Sequence, residues 1–269
     1  MFRRLELQRE EFAKLFAHAR ERKLIPLSTG TDREAIDLLE SLGCGAFKIG
    51  SDDLVYTPFL DYVARKGKPV ILSTGMAEAA DIDRAVATVS GAGNTQLVLL
   101  HCVSLYPTPD ESVNLNKMNA LRQTYGCPVG FSDHSFGVTA ALGAVALGAA
   151  ALEKHFTLDR NMPGPDHRFS SDPAELAVLV REVRRLENNL GDPSLKPAPG
   201  EAEMARLAHR SIVARIDLPK GHTLEEGDLA FRRPGTGLKA YEMPRLVGKK
   251  LRRAVAANTQ LSLEMLDER

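Results

Sequence analysis

The chain has 269 residues, 43% of them hydrophobic, which is enough to bury a sizeable core in one large domain or two unequal ones. Lys plus Arg and Asp plus Glu number 35 each, so no net charge favours nucleic acid or an anionic membrane, and a small ligand is expected. The cysteines Cys44, Cys102 and Cys127 lack the spacing of a zinc ribbon or a disulfide scaffold, which favours a reducing cytoplasm. No apolar run reaches the roughly 18 residues of a membrane span, and the first residues do not resemble a signal peptide.

A pattern of helix followed by apolar strand repeats along the first two thirds of the chain. Helical periodicity at 10–23 and 32–42 is interleaved with strand-like runs at 24–30, 46–51, 69–75, 97–102, 128–131 and 149–152. Regular alternation without reversal predicts an α/β fold of the (β/α) TIM-barrel type. A closed barrel needs eight strands, so we expect an N-terminally incomplete barrel of about six βα units.

Polar side chains collect at the ends of these runs, where barrel enzymes carry their sites. Two of them, His134 and His155, lie one βα unit apart, and parallel strands would bring both imidazoles to the same edge of the sheet. Two imidazoles can hold a metal ion and leave positions open, although a hydrogen-bonded structural role is more common for a histidine at a strand end. For His101 the two roles are equally supported.

Lys48 lies between the apolar residues Phe47 and Ile49, where an unpaired ammonium group is costly, and this predicts an anionic ligand. Ser73 and the threonine after it could contact a phosphate or cap the following helix. Glu153 and Lys154 alternate across their strand, and we expect one of them in a structural ion pair.

The composition changes near residue 191. We predict a partial barrel domain at 1–191, a stiff linker at 192–208 that contains Pro197 and Pro199, and a small β-rich domain at 209–269. A domain of about 60 residues is marginal alone, so it is expected to dock on another surface.

Motifs along nearly the whole chain resemble the sialic acid synthase family, in which a TIM-type barrel is fused to an antifreeze-like (SAF) domain. In the barrel they are Phe47-Lys48-Ile49-Gly50-Ser51, Ile71-Leu72-Ser73-Thr74-Gly75-Met76, Leu100-His101-Cys102, Tyr106-Pro107-Thr108-Pro109, Ser132-Asp133-His134, Glu153-Lys154-His155-Phe156 and Pro163-Gly164-Pro165-Asp166-His167. In the tail they are Arg210-Ser211-Ile212-Val213-Ala214 and Arg232-Arg233-Pro234-Gly235.

The resemblance implies condensation of phosphoenolpyruvate with an N-acetylated hexosamine such as N-acetylmannosamine, giving a nine-carbon 2-keto acid, with phosphate leaving by C–O cleavage. It implies a divalent metal ion, Mn²⁺ or Mg²⁺, held by His134 and His155 to activate the sugar aldehyde. It implies catalytic roles for Lys48 and for Asp53, which aligns with an acidic residue that orients or deprotonates the attacking water. The substrate-binding residues it implies are Thr29, Ser51, Ser73, Tyr106, Asp166 and Arg233.

The resemblance further implies a domain-swapped homodimer, in which Arg233 reaches into the partner's site. The chain departs from the family in three ways: two initial βα units are missing, the turn at 28–30 lacks the usual Thr-Pro-Phe, and Ser104 replaces a common asparagine. Two alternatives therefore stay open. One is a catalytically impaired homologue that binds glycans or acts as a scaffold, and the other is a synthase that uses a legionaminic or pseudaminic acid precursor.

Overall fold

A computed structural model describes residues 6–267 and divides the chain into two compact units that meet between Gly191 and Asp192. From residue 6 onward, the first unit contains five strands, β1 (Phe47–Ile49), β2 (Val70–Ser73), β3 (Leu97–Cys102), β4 (Val129–Asp133) and β5 (Leu152–Lys154). Its helices are α1 (Arg9–Glu21), α2 (Arg33–Ser41), α3 (Thr57–Ala64), α4 (Ala79–Gly91), α5 (Asp110–Val113), α6 (Lys117–Tyr125), α7 (Thr139–Ala146) and α8 (Pro173–Leu190).

The strands form one parallel sheet in the order β1-β2-β3-β4-β5, so each strand lies beside the one that precedes it in the chain. The sheet is covered by apolar side chains, with Phe47, Leu72 and Leu99 at the centre of the core. Parallel pairing places the carboxyl ends of all five strands along the same edge. This sequential βα order is that of a TIM-type barrel over part of its circumference, which confirms the predicted fold class.

The first of the strand-like runs is not a strand. Residues 24–30 contribute one parallel bridge, between Thr29 and Lys48, and the Gly30 amide donates to the Lys48 carbonyl at 3.3 Å. Leu24 and Ile25 are 64% and 81% exposed. An apolar run does not by itself show whether other elements pack on its faces. Of the six predicted strands, five form and the first is replaced by a single bridge.

Local capping explains where the long helices begin. The Asp172 carboxylate accepts the Glu175 amide at 2.8 Å, and Pro173 occupies the first turn of α8. Asp32 caps α2 in the same way, at 2.7 Å from the Ala35 amide. These caps fix the first turn of α2, which leads to β1, and the first turn of α8, which ends the unit.

The second unit has its own core, around Ile212, Leu224 and Leu251, and an antiparallel pair of strands, β6 (Ser211–Ala214) and β7 (Leu229–Arg232). Short 3₁₀ turns complete it at Glu226–Asp228, Ala240–Arg245 and Leu263–Met265. Helix α9 (Glu201–Ala208) lies inside the segment expected to be a linker, because its Ala, Glu, Met and Leu residues favour a helix. Across residues 6–267, no helix has the length and hydropathy that crossing a membrane requires.

Candidate active site

A polar cleft of about 350 Å³ lies at the carboxyl edge of the parallel sheet. Side chains from the ends of all five strands line it: Lys48, Gly50, Ser51, Asp52, Ser73, Met76, Cys102, Ser104, Tyr106, Ser132, His134, Glu153 and His155. A cavity of about 440 Å³ beside β5 and α8 is larger, but Ala, Val and Leu residues form most of its wall. The convergence of cationic, imidazole and hydroxyl groups therefore identifies the cleft as the candidate site.

The two histidines stand together on one side of the cleft. Their ring centroids are 5.1 Å apart at an interplanar angle of 71°. The His134 Nδ1 atom lies 2.9 Å from the Val103 carbonyl oxygen, which can only accept, so Nδ1 carries the proton in the neutral ring and Nε2 keeps its lone pair. A ligand histidine is commonly oriented in this way by a backbone carbonyl.

His155 supplies the second imidazole. Its Nδ1 atom is 3.8 Å from the Asp166 carboxylate, and burial lowers the pKa of His155, with a further contribution from His134. No group of three or more His, Cys, Asp or Glu side chains in the described part of the chain is arranged around a metal position. The donor set fits an open site with two imidazole ligands, whose other positions would fall to substrate and water.

Cys102 is a further polar neighbour of His134. Burial would raise the pKa of the Cys102 thiol, but hydrogen bonds with His134 and Ser51 outweigh it and lower the pKa. Burial would likewise lower the pKa of His134, but the Cys102 thiol and the Val103 carbonyl hold it above its usual value. The thiol and the imidazole thus stabilise each other's charged forms.

Tyr106 forms a wall against both imidazoles. Its ring centroid lies 4.2 Å from that of His134 and 5.9 Å from that of His155, and Phe169 packs on it at 5.5 Å. Burial is the main cause that raises the pKa of the Tyr106 hydroxyl, so this group stays a neutral donor at physiological pH. A ring held in this way limits how a ligand can approach the histidines.

Lys48 is the cation at the β1 end of the cleft. Its Nζ atom donates to Ser73 Oγ at 2.9 Å and to the Ile49 carbonyl at 3.1 Å, and the Glu153 carboxylate is 3.5 Å away. The Lys48 side chain is only 11% exposed, whereas that of Glu153 is 42% exposed and also accepts from Ser132 Oγ at 2.7 Å. The buried ammonium therefore has protein partners, and an anionic ligand would add to them.

A buried ion pair lies in the turn that carries His134. Lys154 Nζ lies 2.8 Å from Asp133 Oδ2, and the two side chains are 7% and 1% exposed. The other Asp133 oxygen accepts from the Ser135 amide and hydroxyl at 2.8 and 2.6 Å. These bonds fix the turn that carries His134. The structural ion pair expected for Glu153 or Lys154 is formed by Lys154 with Asp133.

Most of the residues predicted from the sequence meet in this cleft, namely Lys48, Ser51, Ser73, Tyr106, His134 and His155. Asp166 lies at the rim, beside His155. Thr29 is exposed and outside the lining, at the bridge to Lys48, and Asp53 is also outside it. Arg233 is exposed on the second unit.

Several residues that line the cleft were missed in the sequence: Asp52, Cys102, Ser104, Ser132 and Glu153. Residues two apart on a strand share a face, so Glu153 with His155 and Ser132 with His134 could have been found from strand alternation. No sequence signal distinguishes Asp52 from Asp53, since adjacent residues in a turn have no fixed alternation.

Comparison with known proteins identifies both units. Residues 1–194 match the NeuB family model, and residues 209–267 match the SAF domain. The N,N'-diacetyllegionaminic acid synthase of Campylobacter jejuni is 39% identical over 251 residues, which are 93% of this chain and 75% of that protein. The human N-acetylneuraminate-9-phosphate synthase is 34% identical over 98% of this chain and 74% of that protein.

Solved structures give the same result. The N-acetylneuraminic acid (sialic acid) synthetase of Leptospira borgpetersenii serovar Hardjo-bovis, solved with citrate, is similar with a TM-score of 0.70 and 37% identity. The match covers 74% of this chain and 70% of that one. These similarities confirm the resemblance inferred from the ordered motifs. The chain belongs to the NeuB family of synthases and carries a SAF domain in its second unit.

Proposed function

We propose that this protein condenses phosphoenolpyruvate with the open-chain aldehyde of an N-acetylated hexosamine, releasing inorganic phosphate and forming a nonulosonic acid. The observation that carries the proposal is the convergence of the His134–His155 pair with Lys48 and two serine hydroxyls on one cleft at the carboxyl edge of the sheet. An aldehyde must be activated and a phosphorylated enol must be held beside it. The two sides of the cleft offer one set of groups for each task.

Phosphoenolpyruvate fits the β1 and β2 side. Its phosphate and carboxylate need cationic and hydroxyl donors, and Lys48, Ser51 and Ser73 offer them within the lining of one cleft. The Lys48 side chain is held in place, because its ammonium group donates hydrogen bonds to Ser73 Oγ and to the Ile49 carbonyl. Binding there would fix the enol so that its methylene carbon faces the histidine side.

The sugar aldehyde fits the histidine side. A divalent ion such as Mn²⁺ or Mg²⁺, when bound, would supply a Lewis acid for the aldehyde oxygen. His134 and His155 would hold it through one ring nitrogen each, and His134 would give up its hydrogen bond with Cys102 to do so. The Val103 carbonyl and the Asp133–Lys154 pair keep His134 in place for that role. Tyr106 restricts the approach to the histidines, and Asp166 offers a carboxylate to sugar hydroxyls at the rim.

The names of the related synthases give three products: N,N'-diacetyllegionaminic acid, N-acetylneuraminate 9-phosphate and pseudaminic acid. We propose N-acetylmannosamine or a diacetamido relative as the acceptor sugar. All of these substrates share an aldehyde carbon and an N-acetyl group beside it. The cleft residues described above act on the shared aldehyde, so they support the reaction type rather than one sugar.

We further propose a homodimer in which Arg233 of one subunit contacts the sugar bound by the other. This rests on the family resemblance around Arg232-Arg233-Pro234-Gly235 and on the exposure of Arg233. Mixing the Arg233→Ala and His134→Ala variants under exchange conditions should then restore activity, because one of the two sites in a mixed dimer is intact. Absence of restoration in verified mixed dimers would contradict the swapped arrangement.

The reaction is tested by measuring phosphate release from phosphoenolpyruvate with Mn²⁺ and each candidate sugar. We expect sugar-dependent release, abolished by a chelator and lowered at least about 100-fold in the His134→Ala variant. The matched control is His18→Ala, since His18 is an exposed histidine on α1 that does not line the cleft. Glycan binding without phosphate release by the wild type would instead support the impaired homologue.

A further inference from the structure

We infer that a second cavity of the first unit is a binding site for a small amphipathic acid, separate from the cleft at the edge of the sheet. This cavity has a volume of about 450 Å³ and is lined by residues of β3, α4 and α6 and of the turn after β2. It is large enough for a small organic ligand. Its wall combines an apolar part, a buried hydrogen-bond acceptor and a cation.

The apolar part of the wall comes from the two helices and the turn before α4. Ile82 and Leu121 are buried there, and the small residues Ala77, Ala79 and Ala120 leave space that larger side chains would fill. An apolar surface of a ligand would leave water when it enters this space, which favours binding. The apolar wall therefore predicts a ligand with a hydrocarbon or aromatic body.

His101 supplies the hydrogen-bond acceptor. The residue is only 2% exposed, and its Nε2 atom lies 2.7 Å from the Val113 carbonyl oxygen, which can only accept. Burial lowers the pKa of His101, so the ring is neutral, with the proton on Nε2 and a lone pair on Nδ1. No group in residues 6–267 donates to Nδ1. Since Nδ1 is not one of the fully buried polar atoms without a partner, it has access to the cavity, where an N–H or O–H of a ligand can donate to it.

Lys117 supplies the cation, at the first turn of α6. It is exposed, and no carboxylate in the described part of the chain pairs with it. After burial, the charge of Lys117 is a further cause that lowers the pKa of His101, which shows that the ammonium group and the imidazole act on the same space. The other charged group of the wall is Asp83, whose carboxylate accepts from the Tyr125 hydroxyl at 2.8 Å. An anionic group of a ligand would therefore find a cation without a protein partner.

The cavity and the cleft recognise ligands with different side chains. Met76 and Cys102 line both spaces and form the wall between them. Lys48 lines the cleft but not the cavity, whereas His101 and Lys117 line the cavity but not the cleft. An acid bound in the cavity would thus contact the wall of the cleft without using the groups assigned to the reaction.

Indole-3-acetate is a suitable probe because it has a carboxylate for Lys117, an apolar ring system and an N–H for His101 Nδ1. The chain contains no tryptophan, so indole fluorescence reports the probe alone. We expect saturable binding to the full chain in a fluorescence titration. Binding of 1-methylindole-3-acetate, which lacks the N–H, and of indole-3-ethanol, which lacks the charge, should each be weaker by about threefold or more.

Two matched pairs of variants locate the site without requiring turnover. Lys117→Met should weaken probe binding about threefold or more, whereas Lys48→Met, the same change in the cleft, should leave it unchanged. Ala120→Leu should weaken binding by filling the cavity, whereas Ala87→Leu, at an exposed alanine of α4 outside the lining, should not. Absence of saturable binding, equal binding to the wild type and Lys117→Met, or competitive displacement of the probe by phosphoenolpyruvate would overturn the inference.

Discussion

The two sides of the cleft are built differently. On the side of β4 and β5, the histidine turn is held by a buried ion pair between Asp133 and Lys154 and by the Val103 carbonyl. On the side of β1, residues 24–30 pair with the sheet through one bridge, between Thr29 and Lys48. In the turn after β1, Asp53 Oδ2 is buried and has no hydrogen-bond partner among the described residues.

The turn that carries His134 is therefore held by more buried contacts than the turn after β1. A metal-binding pair needs ring positions that do not move, and buried hydrogen bonds provide that rigidity. The turn after β1 has fewer such constraints, and it carries two adjacent carboxylates, Asp52 and Asp53. Substitutions on each side of the cleft test that contrast.

Breaking the ion pair on the rigid side should have the largest effect on stability. Lys154→Met leaves the Asp133 carboxylate buried without its cation, and we expect a loss of about 3–5 kcal/mol in the free energy of unfolding. Denaturant unfolding measures it. The matched control is Lys117→Met, at an exposed lysine, which should stay within about 0.5 kcal/mol of the wild type. Equal stabilities for the two variants would show that the histidine side is not held by this pair.

Removing the cation on the β1 side should act on substrate binding more than on folding. Lys48→Met removes a charged donor to the anionic substrate, and we expect KM for phosphoenolpyruvate to rise about tenfold or more, as for a lost charge-assisted hydrogen bond. Steady-state kinetics at varied phosphoenolpyruvate measures it, with KM for the sugar as the internal control. A rise in the sugar KM alone would place the anion site elsewhere.

The fold and the histidine side were predictable from the sequence because their signals are periodic or local. Buried parallel strands are continuous apolar runs, and Ser132-Asp133-His134 and Glu153-Lys154-His155 end two of them. The same alternation also contained the information that Glu153 and Ser132 share the cleft face with the histidines.

The β1 side could not be predicted as well, since turns and edges have no period. The run at 24–30 is apolar, and its composition predicts a strand. Most of its residues are exposed in the folded chain, and they do not form one. The resemblance to the family implies a role for Asp53, whereas the residue of this turn that lines the cleft is Asp52, whose carboxylate lies over Gly50. Neither property can be read from residue types alone.

The smallest effect is the pH dependence expected from Asp53. Its pKa is raised in the folded protein by burial and by Asp52, so ionisation at neutral pH disfavours the folded state. Asp53→Asn should therefore be more stable than the wild type at pH 7, by less than about 1 kcal/mol because water screens a partly exposed group. The difference should shrink as pH falls through the raised pKa of Asp53. A difference that grows on acidification, measured by unfolding at several pH values, would contradict the assigned environment.

We propose that this cleft joins the methylene carbon of phosphoenolpyruvate to the aldehyde carbon of a sugar. The most direct test follows phosphoenolpyruvate labelled with ¹³C at its methylene carbon by NMR, in the presence of Mn²⁺ and N-acetylmannosamine or a diacetamido sugar. We expect the alkene signal to be replaced by that of a methylene group in a 2-keto acid, with release of an equal amount of phosphate. Persistence of the alkene signal with every sugar, or release of phosphate with pyruvate as the only carbon product, would contradict it.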